Sequence, residues 1–103
     1  MMHYTVRLTP EAEEDLLRLY EFILERDLDG YETAECALTA IQKGFDFLKI
    51  LPYSCRKADV SRPYLRELVI SFGASGYVAL FEIEPDQIVT IIAVRHQRES
   101  DFH

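Results

Sequence analysis

The chain has 103 residues, 49% of them hydrophobic and 28% charged, with 18 acidic against 11 basic side chains and a formal net charge of −7. That length fits one domain with one modest core, and the apolar fraction is too high for a disordered chain. The acidity argues against a general nucleic-acid binder, whose affinity rests on a basic surface.

The charge is unevenly spread. Residues 1–52 carry 5 Lys/Arg and 11 Asp/Glu, whereas residues 53–103 carry 6 and 7. Within 53–66, Arg56, Lys57, Arg62 and Arg66 stand against Asp59 alone, so the second half can carry a local basic patch. Cys36 and Cys55 form no CxxC pair and are too few for a disulfide scaffold. Three scattered histidines have no metal-ligand spacing, so neither a metal nor another cofactor is expected. No apolar run approaches the roughly 20 residues of a membrane helix, and the first residues hold no signal-peptide core. The expected setting is the cytoplasm, away from membranes.

In chain order, residues 3–8 alternate and contain β-formers, which predicts a first strand. Thr9, Pro10 and Glu11 then read as a helix start. Thr9 can cap free amide donors, Pro10 suits the first helical position, and Glu11, Glu13 and Glu14 favour the positive end of the helix dipole. Ala12, Leu16, Leu19, Tyr20, Ile23 and Leu24 form one apolar stripe. Asp27 to Gly30 breaks the pattern. A second helix runs from about Tyr31 to Leu51, with Ala34, Ala37, Leu38, Ile41, Phe45 and Leu48 on one face and Pro52 ending it. The two helices suggest a helical hairpin with a solvated acidic outer face.

Residues 53–63 read as a loop. Three strands follow: Tyr64 to Phe72, Tyr77 to Ile83, and Ile88 to Arg95. Turns at Gly73–Gly76 and Glu84–Gln87 join them. The last strand is apolar on both faces, which places it centrally. The order β-α-α-β-β-β predicts a single α+β domain over residues 1–103, a helical hairpin on a mainly antiparallel four-stranded sheet.

Gly-rich phosphate loops, HExxH and GxSxG are absent. The candidate functional groups are cationic. Arg66 lies in the first strand of the meander, sharing a face with Tyr64, Leu68, Ile70 and Phe72 by period two. Arg95 closes the last strand, with His96 and Arg98 just beyond. Cations from 56–66 and 95–98 could converge at one sheet edge and grip carboxylate or phosphate bidentately. The alternative is pairing with neighbours such as Glu67, Glu99 and Asp101. His96 is a candidate general base, with the terminal His103 a weaker one, although a lone histidine more often serves a structural hydrogen bond.

The runs YLRELVISFGASGYVALFEI (Tyr64 to Ile83) and IIAVRHQRE (Ile91 to Glu99), with the short tail, resemble the ParE/RelE superfamily of bacterial toxins. The likeness is greatest to the ParE, or plasmid-stabilisation, branch. The start agrees, with a strand leading into Leu8, Thr9, Pro10, Glu11 and Ala12. The resemblance implies the same β-α-α-β-β-β fold. It also implies a cognate antitoxin, of ribbon-helix-helix type, in a hetero-oligomer that touches DNA only through the antitoxin. ParE-type members inhibit DNA gyrase without chemistry of their own; RelE-type members cut mRNA on the ribosome. The nuclease branch carries an Arg after the Tyr of the SGY turn, where this chain has Val78. It often has lysines on the preceding strand, where Leu68, Val69, Ile70 and Ser71 stand. Its last-strand Arg aligns roughly with His96, and its terminal Tyr with Phe102 or His103. The resemblance therefore favours the gyrase branch, with target binding by Arg95, His96, Arg98, Arg66, Phe102 and His103. Under the nuclease alternative, His96, Arg95 and Arg66 would be catalytic. A third alternative is a degenerate, non-toxic regulatory module, because family toxins are commonly basic and this chain has a pI near 4.8.

Overall fold

A computed structural model describes residues 3–26, 30–73 and 75–97. The elements in chain order are β1 (Thr5–Leu8), α1 (Pro10–Arg26), α2 (Gly30–Leu48), a 3-10 turn (Pro52–Ser54), β2 (Arg56–Asp59), β3 (Arg62–Phe72), β4 (Ser75–Glu84) and β5 (Ile88–His96). The strands form one sheet in the order β1-β5-β4-β3-β2. β1 runs parallel to β5 and the other neighbours are antiparallel. Both helices pack on one face of this sheet, giving an α+β domain. No described helix is long and apolar enough to cross a membrane.

The start of α1 is built as its sequence dictates. The Ala12 amide donates to Thr9 Oγ1 at 3.1 Å, and the Glu13 amide to the Thr9 carbonyl at 3.0 Å. Pro10 takes the first helical position, where its missing N–H loses nothing. The apolar stripes of both helices meet the sheet: Ala12, Leu19, Ala37, Ile41, Phe45 and Leu48 pack with Ile70, Tyr77, Ala79, Phe81, Val89, Ile91 and Val94 in one buried cluster.

The sheet has five strands where four were expected. The extra one, β2, lies in the segment read as a loop. Its sequence, Arg-Lys-Ala-Asp, has no β-branched or aromatic residue and is mostly exposed, so neither propensity nor alternation marks it. It is recruited by β3, with Arg56 opposite Glu67 and Lys57 opposite Arg66. β5 lies inside the sheet as expected, buried along the helix side and, on the other side, only at Ala93 among its described residues. Val89, Ile91 and Val94 face the helices, whereas Ile88, Thr90 and Ile92 are half-exposed.

The register fixes which side chains share a face. Arg66, Leu68 and Ile70 of β3 stand opposite Phe81, Ala79 and Tyr77 of β4, on the helix side. Leu65, Glu67 and Val69 stand opposite Glu82, Leu80 and Val78 on the other side, which no described helix covers. We call this second side the bare face.

Candidate functional site

A cleft of about 370 Å³ opens on the bare face near the β2 edge. Leu65, Val78 and Leu80 give it an apolar floor, and Asp59, Arg62, Glu67 and Arg95 supply its charges. Two of the four charged groups, Glu67 and Asp59, are held by hydrogen bonds. Arg56 Nε donates to Glu67 Oε1 at 2.6 Å. Asp59 accepts the Ser61 amide at 3.0 Å. Those bonds from Ser61, with the nearby Arg62 cation, hold the Asp59 carboxyl below its ordinary range. Arg95, across from Val78 on β4, is exposed and makes no hydrogen bond or ion pair with any described residue. A guanidinium without a partner among the described residues, beside an apolar floor, can donate bidentately to a carboxylate or phosphate.

The other cations named from sequence fall elsewhere. Arg66 occupies the helix side of β3, as its period-two face requires. Its Nη1 donates to the Cys55 carbonyl at 2.6 Å and the Tyr53 carbonyl at 3.4 Å, and its guanidinium lies 5.3 Å from the centre of the Tyr53 ring. It pins the turn that leads into β2. Burial pushes the Cys55 thiol up, partly opposed by the same Arg66 charge. His96 stands opposite Tyr77 with the rings edge to face, 5.6 Å between centres. Burial pushes the Tyr77 phenol up. Arg66 and His96 thus lie on the helix side and Arg95 on the bare face. Arg62 and Arg95 share the cleft, Arg56 sits at its rim, and Lys57 goes with Arg66. Arg98, Phe102 and His103 lie outside the described residues. Among the described residues, no group of three His, Cys, Asp or Glu side chains could hold a metal ion.

A second surface, which sequence reasoning left without named residues, lies between the helices. Leu16, Leu17, Tyr20 and Leu38 line a groove of about 460 Å³ with Glu35 at its rim. Leu17 is 58% exposed and Tyr31, one turn before Glu35, is 65% exposed. Burial, then the Glu35 carboxylate and Tyr31, push the Tyr20 phenol up. The signal was available: Leu17 is apolar yet lies off the core stripe of α1.

Residues 6–101 match the family model of the ParE toxin of type II toxin-antitoxin systems, parDE. The chain belongs to the ParE toxin family. It is 32% identical over 99 residues to toxin RelE3 of Caulobacter vibrioides, spanning 92% of this chain and 96% of that one. Among solved structures, it resembles the chromosomal ParDE system of P. aeruginosa, with a TM-score of 0.73, 19% identity and coverage of 91% of this chain and 96% of that one. It also resembles an arginine-to-alanine double mutant of the E. coli toxin RelE in the free state, with a TM-score of 0.61, 14% identity and coverage of 97% and 90%. At those identities the two structures speak for the fold. The ParE fold here therefore presents two unlike surfaces, an apolar groove on the helical hairpin and a charged cleft on the opposite side of the sheet.

Proposed function

We propose that this toxin acts as a non-enzymatic inhibitor of DNA gyrase, docking through Arg95 and the bare-face cleft. The observation that carries this reading is the separation of Arg95 from His96. A ribonuclease needs its phosphate-binding cation and its proton-transfer group on the same scissile phosphate. Here the candidate base stands beside Tyr77 on one face of the sheet and Arg95, without a partner among the described residues, on the other. A docking protein needs only the cation and the apolar floor beneath it.

The helical-hairpin groove is the seat for the cognate antitoxin. Its apolar lining suits an amphipathic helix, and the ribbon-helix-helix part of such an antitoxin would supply the only contact with DNA. The hetero-oligomer and its target belong in the cytoplasm.

Expression without antitoxin tests the reading. Gyrase inhibition gives SOS induction, filamentation and loss of supercoiling activity in a purified assay. A rapid stop of translation with cleaved transcripts would replace it with the nuclease reading, and unhindered growth with the regulatory one.

A further inference from the structure

Strand β5 carries one residue more than its partner. Phe81 stands opposite Ile91 and Leu80 opposite Ala93, so Ile92 is the extra residue of a β-bulge. The bulge decides where Arg95 points. With it, Ile91 and Val94 are both buried against the helices, while Arg95 reaches the cleft. A regular ladder continued from Phe81 and Ile91 would set Val94 opposite Val78 and Arg95 opposite Tyr77. That one-residue slip would exchange the faces of the two side chains.

Thr9, just before α1, and Asp15 within it hold the bulged arrangement. Asp15 Oδ2 accepts the Val94 amide at 3.0 Å, and Thr9 Oγ1 donates to the Ile92 carbonyl at 3.2 Å. β1 pairs with β5 only as far as Leu8 and Ile91, so beyond Ile91 the helix supplies what a neighbouring strand no longer does. The Asp15 carboxylate is itself fixed, since Arg18 donates to its other oxygen at 2.7 Å and its side chain is only 14% exposed. Backbone bonding directions alternate along an antiparallel strand. In the slipped ladder the Val94 N–H would therefore turn toward β4, out of reach of Asp15. The bond to Asp15 exists only in the register that turns Arg95 outward.

We propose that Asp15 is a positioning residue, selecting the bulged register of β5 and thereby presenting Arg95 on the bare face. This rests on the docking role given to Arg95 above. It assigns to an α1 carboxylate, on the far side of the sheet from the cleft, control over the placement of Arg95.

The test uses isotope-labelled full-length toxin carrying Asp15→Asn or Asp15→Ala, with Arg95→Ala alongside. Asn keeps an oxygen acceptor for the Val94 amide and Ala does not. In wild type and Asp15→Asn, the Ala79 α-proton should show a cross-strand Overhauser contact with Val94, and gyrase inhibition should match. In Asp15→Ala that contact should pass wholly or partly to Ala93, with inhibition weakened about tenfold, the scale of one lost charge-assisted hydrogen bond. An Ala79–Val94 contact and inhibition both unchanged in Asp15→Ala would overturn the proposal. Should Asp15→Ala fail to fold, wild-type amide exchange decides: a protected Val94 amide that Asp15→Asn retains supports the role, and a fast-exchanging one refutes it. Full inhibition by Arg95→Ala would remove the docking reading, while the Overhauser contacts would still judge what Asp15 does to the register.

Discussion

Arg66 and Arg95 are the same residue type on neighbouring parts of one sheet, and alanine at each should do opposite things. Arg66→Ala removes a charge-assisted bond of 2.6 Å to the half-buried Cys55 carbonyl and a ring contact with Tyr53. The bond contributes about 2 kcal/mol and the ring contact about 0.5 kcal/mol, reduced somewhat by partial exposure. A net loss of about 2 kcal/mol should lower the melting temperature of a domain this size by about 10 °C. Arg95→Ala removes an exposed side chain with no described partner, so stability should stay within about 0.5 kcal/mol of wild type. Its effect should fall on the target: a central arginine anchor is worth about 2 kcal/mol at an interface, which is about 30-fold in affinity. Thermal unfolding followed by circular dichroism and inhibition of gyrase supercoiling separate the two effects. An Arg66→Ala protein that melts with wild type yet no longer inhibits, beside an Arg95→Ala protein that inhibits fully, would refute the assignment of roles.

Leu17→Asp, in the groove between the helices, should weaken antitoxin binding at least tenfold by calorimetry, because a charge replaces an exposed apolar anchor, while melting temperature and toxicity stay unchanged. Gly76→Ala should fail to fold or lose about 3 kcal/mol or more in denaturant titration, since its Cβ would collide with the Ile70 carbonyl oxygen. Gly44→Ala meets side-chain atoms alone, Ile70 Cδ1 at 2.9 Å, Ile70 Cγ1 at 3.0 Å and Leu68 Cδ2 at 3.1 Å, and should cost about 1 kcal/mol. The Glu84 carboxyl is held below its ordinary 4.5, first by the Thr90 hydroxyl and then by Arg7. Its support for the β1–β5–β4 contact is therefore full above that value and lost as pH falls through the lowered folded one. Melting temperatures measured across the acid range should decline less steeply in Glu84→Gln than in wild type.

Much of this fold is written locally. The Thr9–Pro10 helix start, the two apolar stripes and the three meander strands each follow from neighbours a few residues apart, and the structure places them where spacing does. β2 escapes because its side chains carry no period; a backbone ladder and the Arg56–Glu67 pair create it, and both partners are remote in sequence. Which of the cations share a face did not follow from sequence, for a different reason. Residues 88–94 are apolar at nearly every position, so alternation has no polar marker by which an extra residue at Ile92 could be noticed. The face of Arg95 depends on that residue. Arg66 was placed on its proper face by period two, but the carbonyls it serves belong to a turn some eleven residues earlier, which no local pattern connects to it.

The strand that completes the sheet is the last of the described elements to be synthesised. Among the described residues β1 has no ladder partner other than β5, more than eighty positions downstream, and β5 must slot between β1 and β4 instead of adding at an edge. Loop closure over such a span is entropically costly and slows folding. Until residues 88–96 arrive, β1 is an unmatched ribbon and the cleft lacks Arg95, so closure of the sheet and assembly of the proposed docking surface fall in the same late step.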